Sequence, residues 1–168
     1  CHPSVFLERT TKEEWADTFG GIAAPQDAIA AIESDDPAKK AIVEATVRAI
    51  YAPVIDVHWV TVKQLAQLEP TLVETVACMI GSLLNEALYE AIHTMGVPEA
   101  AARSILYGHT QVALANGLRG DNPFSDACLI AMDYGRESII KEDWKKIFRD
   151  DELDKNLARM LHLDHIER

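Results

Sequence analysis

The chain has 168 residues, 48% of them hydrophobic and 26% charged, the composition of an ordinary folded domain that needs no disulfide or structural metal. Its 27 acidic and 16 basic residues give a formal net charge of −11, which repels phosphate backbones, so we expect no nucleic-acid partner. Three scattered cysteines, and a most apolar run (residues 72–84) too short to cross a bilayer, predict a cytoplasmic location and no membrane contact.

The first sixty residues alternate between strand-like and helix-like patterns. Apolar runs at residues 5–7, 28–32 and 54–60 are bounded by turn residues and predict three strands. Asp36 and Pro37 have the residue types of an N-cap and a first helical position, and the apolar spacing after them predicts a helix before the third strand. This segment is therefore predicted to form a strand, helix, strand unit.

Helical patterns dominate from Thr61 onward. Thr61 and Gln64 form a capping-box pattern, so we place a domain boundary between residues 61 and 62. A first helix is predicted to end at Pro70, and a second, long helix over residues 71–95 carries apolar residues on all sides. A domain this small has too few neighbours to cover such a helix, so we predict a homodimer.

The rest of the chain is predicted to be helical as well. One helix is expected over residues 98–116, closed by Gly117, and another from the cap Ser125 to Tyr134, closed by Gly135. Shorter helices or turns are expected at residues 142–148 and 152–162.

Several segments carry a resemblance to a known family. They are Cys1-His2-Pro3, Tyr51-Ala52-Pro53-Val54, Val60-Thr61-Val62, the run from Leu68 to Ala77, Leu106-Tyr107-Gly108-His109, and Phe124-Ser125-Asp126-Ala127. Together they resemble the C-terminal domain of 6-phosphogluconate dehydrogenase-like NAD(P)-dependent oxidoreductases. This phosphogluconate dehydrogenase (decarboxylating) C-terminal-type family includes D-apionate oxidoisomerase-like enzymes. The similarity extends over residues 1–148.

The resemblance implies a mainly α fold. It predicts a helical 6-phosphogluconate dehydrogenase C-terminal-like domain for substrate binding and dimerisation at residues 62–168, preceded at residues 1–61 by a short α/β remnant of a Rossmann domain. The G-x-G-x-x-G turn of a dinucleotide site is not in the sequence, whose closest glycines are Gly20 and Gly21. We therefore expect NAD or NADP to be a cofactor of a longer, intact protein and the chain alone to be inactive.

The activity that the resemblance implies is oxidation of a hydroxyl group of a sugar acid, by a dehydrogenase or an oxidoisomerase. A non-catalytic helical module for dimerisation or other interactions is the alternative. A third possibility is an oxidoisomerase of the ketol-acid type, with magnesium held between acidic helices.

Two glutamates flank Pro70 where the resembled family begins to build its substrate pocket. A kink at this proline would let Glu69 and Glu74 point into one cleft, and we predict catalytic or ligand roles for both. The structural alternative for Glu74 is the third position of a capping box that begins at Thr71.

His109 lies on a predicted helix face with Ile105, Val112 and Asn116. The match of Gly108-His109 to the resembled family implies that His109 is an acid, a base or a metal ligand, and we predict that Asn116 binds substrate. The alternative is a buried histidine with a structural hydrogen bond.

His2, Glu69 and His109 have the composition of a catalytic metal site with an open fourth position. The alternative needs no metal, because His109 or a glutamate would remove the hydroxyl proton while hydride leaves to the cofactor.

A positive cluster near the C-terminus includes Lys141, which we predict binds a substrate carboxylate. The alternative is a solvated helix face over a packed Trp144.

Overall fold

The computed structural model describes residues 1–5, 26–120 and 124–166, with side chains described at residue 1 and from residue 26 onward. The chain divides into two compact units, Cys1–Glu69 and Pro70–Arg168. The predicted domain boundary at residues 61 and 62 falls where a helix begins, and the units divide further along that helix. Residues 6 and 7 of the predicted first strand, and Gly20-Gly21, lie outside the described residues.

A three-stranded sheet forms the centre of the first unit. Its strands are β1 (His2–Val5), β2 (Gln26–Ala30) and β3 (Val54–Trp59), in the order β1-β2-β3. β1 pairs with β2 in the antiparallel direction, and β2 pairs with β3 in parallel, with Ile29 opposite His58. Because β2 has a neighbour on both sides, its small residues are fully buried, and both Ala28 and Ala30 have no exposed surface.

Helix α1 (Pro37–Ile50) connects the parallel strands and begins as its sequence predicts. The Asp36 carboxylate accepts a hydrogen bond from the amide of Ala38, and Pro37 occupies the first turn, where its missing N–H has no helical partner to lose. Val47, the buried residue of this helix, is 2% exposed, and the helix contacts β2. The predicted strand, helix, strand unit is confirmed.

The long helix that follows is continuous through Pro70. Helix α2 (Val62–Leu68) opens with the predicted capping box, in which Thr61 and Gln64 bond each other's backbone N–H groups. A π-helix (Glu69–Cys78) and then α3 (Met79–His93) follow directly. The predicted interruption at Pro70 is therefore wrong, because the chain accommodates the missing N–H by changing its hydrogen-bond register. The structural alternative of a capping box at Thr71 is wrong for the same reason.

The uninterrupted helix over residues 62–93 is longer than the sequence pattern suggests. By length and composition alone, with a mean hydropathy of 1.3 in its most apolar window, it meets the criteria for a membrane span. A core helix of a soluble protein meets the same criteria, so this is weak evidence. Only 11% of that window is buried within the described part of the chain, which leaves an apolar helix surface exposed.

The remainder of the second unit is helical. Its elements are α4 (Glu99–Arg119), α5 (Asp126–Ile139), a 3-10 helix (Trp144–Phe148) and α6 (Asp150–Met160). α3 contacts α4, and α6 contacts the 3-10 helix.

Two predicted helix ends are wrong. α4 runs through Gly117 and ends at Gly120, whose φ of 76° is the left-handed cap that favours glycine. α5, capped by Ser125 as predicted, runs through Gly135 to Ile139. Both inner glycines keep helical dihedral angles, and a glycine within a helix weakens it without ending it.

Candidate functional site

His109 lies on an exposed face of α4 and has a defined hydrogen bond. Its Nδ1 is 2.9 Å from the carbonyl oxygen of Ile105, one helical turn earlier. A carbonyl oxygen only accepts hydrogen bonds, so Nδ1 carries the proton in the neutral ring and the lone pair of Nε2 points away from this contact. The expected alternative of a buried histidine is not observed in the single chain, where His109 is exposed.

An open groove of about 630 Å³ lies along the same face of α4. It is lined by Ala101, Ser104, Ile105, Gly108, His109 and Val112. The predicted neighbours Ile105 and Val112 therefore share a face with His109. Residues at these spacings form one stripe of a helix, and the small ones leave room for another group to approach.

Other polar side chains of α4 form hydrogen bonds along the helix. Asn116, half-buried, lies two turns after His109, and its Oδ1 accepts a hydrogen bond of 3.0 Å from Arg119. Arg103 donates to Glu99 at 2.8 Å and to the Tyr107 hydroxyl at 2.9 Å. The hydrogen bond to Glu99, followed by that to Tyr107, raises the pKa of the Arg103 guanidinium, which therefore stays positively charged.

Glu69 and Glu74 lie on the π-helix. A π-helix is wound with hydrogen bonds from residue i to i+5, so residues five apart in sequence fall about one turn apart. In an α-helix the same two residues would point in different directions, because five residues turn through about 500°. π-helical turns are rare in proteins overall, but those that occur are often found at functional sites. Both glutamates lie on this π-helix, and their catalytic or ligand roles stay predictions.

The π-helix contains two buried residues, Pro70 and Thr71. Thr71 is 5% exposed, and within the part of the chain that the structure describes no hydrogen-bond partner reaches its hydroxyl. The Thr75 hydroxyl donates to the carbonyl oxygen of Pro70 at 2.6 Å, and it accepts a bond of 3.3 Å from the amide nitrogen of Asn156 on α6. Residues far apart in sequence therefore meet at this turn.

Lys141 lines a second cavity, of about 360 Å³, in the second unit. Its other lining residues are Arg136, Glu137, Ile140, Glu142 and Trp144. Trp144 is half-buried and packs edge-on against Phe148, with ring centroids 6.0 Å apart. Two cations and an aromatic wall suit a carboxylate, although the two glutamates reduce the positive potential.

The sequence predicts that His2, Glu69 and His109 together form a metal site. Among the side chains that the structure describes, no group of three or more histidines, cysteines, aspartates or glutamates is arranged to hold a metal ion. The His2 side chain is outside that set, so this metal site stays a prediction.

The structure places the predicted residues on three elements and one connecting segment. His109 and Asn116 lie on α4, the two glutamates on the π-helix, Lys141 after α5, and His2 on β1. The hydrogen bond between the side chains of Thr75 and Asn156 at the π-helix was not predicted. The two residues are 81 residues apart, and no sequence spacing signals such a pairing.

The architecture defines the class of protein to which the chain belongs. A strand, helix, strand unit leads into a long helix and a set of further helices. The chain belongs to the phosphogluconate dehydrogenase (decarboxylating) C-terminal family, whose pattern matches residues 7–161. The fold class implied by the sequence is confirmed.

The curated relatives have one name in common. A D-apionate oxidoisomerase of Pectobacterium atrosepticum is 64% identical over 168 residues, which is 100% of this chain and 59% of the relative. A D-apionate oxidoisomerase of Blautia hydrogenotrophica is 40% identical and covers 98% of this chain and 58% of the relative. The chain thus spans slightly under three-fifths of the length of the relatives it matches.

Two solved structures share the fold. One, from Cupriavidus necator, is described as a semialdehyde dehydrogenase NAD-binding protein in complex with calcium and NAD; it is 35% identical, with a TM-score of 0.81 over 95% of this chain and 58% of that one. The other is a putative oxidoreductase from Jannaschia, 28% identical with a TM-score of 0.75, over 96% of this chain and 57% of that one.

Proposed function

We propose that this chain is the substrate-binding and dimerisation portion of an NAD(P)-dependent oxidoreductase that oxidises a hydroxyl group of a sugar acid. The observation that carries the proposal is the 64% identity, over every residue of the chain, to a D-apionate oxidoisomerase. D-apionate is therefore the first substrate to test. The chain alone is expected to be inactive, and a cytoplasmic location suits such an enzyme.

His109 is proposed as the base that accepts the hydroxyl proton. The hydrogen bond from its Nδ1 to the Ile105 carbonyl oxygen fixes the ring and leaves the lone pair on Nε2. In the intact protein a bound nicotinamide cofactor supplies the acceptor for the hydride. The sequence given does not contain the glycine-rich turn for its pyrophosphate, so this chain's own part is to bind the sugar acid and move the proton.

Glu74 and Glu69 are proposed to act beside the base. A carboxylate from the π-helix can hold a substrate hydroxyl or pass on its proton. Asn116 is proposed to bind a substrate hydroxyl, and Lys141 the substrate carboxylate. The cation and the cavity around Lys141 support its role.

A divalent metal bound by His2, Glu69 and His109 is a further element of the proposal. Nε2 of His109 is the atom that would bind the metal, through its lone pair. The same lone pair cannot accept a proton while it binds a metal, so His109 acts either as the base or as a metal ligand. Treating the full-length protein with a chelator distinguishes the two: lost activity that returns with a divalent cation indicates a metal site.

A homodimer is proposed because the helical unit leaves large apolar side chains exposed. Leu118 is 81% exposed and Met95 is 74% exposed. Sedimentation of the full-length protein measures the assembly state. The same exposed surface favours the second candidate, a non-catalytic interaction module, which predicts a dimer without turnover.

The decisive experiment is an activity screen of the full-length protein with D-apionate and other sugar acids, with NAD⁺ or NADP⁺ as acceptor. We expect His109→Gln to lower kcat by about 10²- to 10⁴-fold, the usual contribution of general base catalysis. His93→Gln is the matched control, because His93 is an exposed histidine at the end of α3, beside Tyr89.

Two results would contradict the proposal in different ways. Full activity in His109→Gln would remove the assigned base but leave the enzyme. Absence of cofactor reduction with every sugar acid would remove the enzymatic function and favour the interaction module.

A further inference from the structure

The π-helix is held by hydrogen bonds from two side chains. The Thr75 hydroxyl donates to the carbonyl oxygen of Pro70, five residues earlier, at 2.6 Å. The side-chain amide nitrogen of Asn156, on α6, donates to the same hydroxyl at 3.3 Å. The two bonds are compatible, because a hydroxyl donates once and also accepts. We call this pair of bonds the Thr75 clasp.

Such support is physically informative because the π-helix is the less favourable winding. A turn that closes from residue i to i+5 is rare and occurs mostly as a single insertion within an α-helix. In this turn Thr71 is also buried, with no partner for its hydroxyl among the described residues, which is itself unfavourable. Helix stability alone does not explain a π-helical turn that buries a hydroxyl without a partner among the described residues. It also does not explain why this turn receives a side-chain hydrogen bond from a distant helix.

Glu74 is the residue next to the Thr75 clasp. Glu74 precedes Thr75 directly and lies within the turn that the clasp closes. A π-helical turn holds about one residue more than an α-helical turn, and each residue turns the helix through about 100°. Relaxation of the turn to α-helical winding would therefore rotate Glu74 by roughly 100°, about a quarter of the helix circumference.

We propose that Thr75 and Asn156 are positioning residues, which hold the π-helical winding and so direct the Glu74 carboxylate toward the substrate. Neither is proposed to touch the substrate. The inference rests on the proposed function, in which Glu74 acts on the sugar acid. Its ordinary alternative is that the clasp only docks α6 onto the π-helix and supports the fold.

The experiment is a double-mutant cycle in the full-length protein, assayed with D-apionate and NAD⁺. Thr75→Val keeps the side-chain shape and removes the hydroxyl, and we expect it to lower kcat by about 10- to 100-fold, the effect of a misplaced group. KM and the melting temperature should change little. Thr75→Ser, which retains the hydroxyl, should restore most of the loss.

The background variant is Glu74→Gln. If the clasp acts through Glu74, Thr75→Val should cause no further loss of kcat in this background, because the group that it positions is already gone. Thr46→Val is the matched control: the Thr46 hydroxyl makes a similar bond, 2.8 Å to the Ile42 carbonyl oxygen, on α1 in the other unit. We expect normal activity in that control.

Asn156→Asp provides an independent test, which can still be made if the Thr75→Val protein does not fold. It keeps the side-chain shape and removes the N–H donor, so we expect a smaller loss of kcat that again disappears in the Glu74→Gln background. A loss that persists in that background would overturn the inference and leave a structural contact. Full activity in Glu74→Gln would overturn it too, by removing Glu74 from the proposed site, while the His109→Gln result would still stand for the proposed function.

Discussion

The two units bury their interiors in different ways. In the first unit the buried residues gather on the central strand, where Asp27, Ala28 and Ala30 are at most 2% exposed. In the second unit they are scattered over several helices, as Leu88 on α3 and Ala102 on α4 illustrate. A strand with a neighbour on both sides is enclosed along its length. Two helices meet mainly at one crossing and leave most of their apolar surface open.

The two units also differ in how far apart in sequence their contacting residues lie. The sheet brings together residues distant in sequence, such as Asp27, which is buried, and His58, whose side chain stays half exposed. The helical unit forms its elements from local signals but leaves side chains such as Ile130 and Tyr134, each 71% exposed, without cover from the described chain. We therefore expect core substitutions and exposed apolar substitutions to behave very differently in the helical unit.

The largest expected effect is at Leu88, the buried residue of α3. Leu88→Ala in the full-length protein should lower the free energy of unfolding by about 2–5 kcal/mol, because it removes buried methyl groups and leaves a cavity. Leu118→Ala is the control, since Leu118 is 81% exposed, and should change it by less than about 0.5 kcal/mol in a monomer. Urea unfolding measures both.

Protein concentration makes this comparison sharper. If a second copy covers Leu118, Leu118→Ala should raise the dissociation constant of the dimer, as seen by sedimentation, while leaving the dilute monomer unchanged. Equal destabilisation of the dilute monomer by both substitutions would contradict the contrast between a buried and an open helix face.

The second prediction concerns the Asp27–His58 pair of the first unit, in which Asp27 is buried and His58 is exposed. Asp27 is 2% exposed, and one of its carboxylate oxygens is 2.8 Å from Nε2 of His58 on the neighbouring strand. His58→Ala should lower the free energy of unfolding by about 0.5–1.5 kcal/mol, because the buried Asp27 side chain loses one hydrogen bond. His93→Ala, at an exposed position, should have little effect. Equal urea midpoints for the two variants would show that the pair contributes nothing.

The sequence predicted the features that local chemistry determines. Asp36, Thr61 and Ser125 cap helices as expected, because an N-cap depends on residues within one turn of it. The π-helix was not predicted, and one of its side-chain hydrogen bonds comes from Asn156, which is distant in sequence. The same limit applies to the candidate site: the helix face of His109 follows from spacing, whereas the hydrogen bond between Thr75 and Asn156 joins residues 81 positions apart.

The third prediction concerns the two glycines near the end of α4, where the sequence placed the helix end at Gly117 and the structure places it at Gly120. Gly120→Ala should destabilise the protein by about 1 kcal/mol, because its φ of 76° is strained for a residue with a Cβ. Gly117→Ala should stabilise it by roughly 0.5–1 kcal/mol, because Gly117 is helical and no atom lies within 4 Å of an added Cβ. Thermal unfolding gives the signs. Destabilisation by Gly117→Ala would indicate that another chain packs closely on that face.

The smallest expected effect is at an exposed, local ion pair of the helical unit, the counterpart of the Asp27–His58 pair in the sheet. Lys146 Nζ is 2.8 Å from a carboxylate oxygen of Asp143. This hydrogen bond lowers the pKa of Asp143 and raises the pKa of Lys146. A lowered carboxyl pKa stabilises the fold above the unfolded pKa, and the contribution is lost as the pH falls through the folded value. The raised amine pKa gives a contribution that is lost as the pH rises through it.

Lys146→Met should therefore raise the pKa of Asp143 and weaken the fold only slightly at neutral pH, with the difference from the parent protein vanishing in acid. Added salt should reduce the effect, because exposed charges are screened. Carbon NMR titration of the Asp143 carboxyl group measures the pKa. Lys145→Met removes the same charge from the neighbouring position and should shift it less. Equal shifts in both variants would mean that the total positive charge nearby, rather than the hydrogen bond from Lys146, sets the pKa of Asp143. The surface of the helical unit would then lack the specific pairing that the sheet has at Asp27.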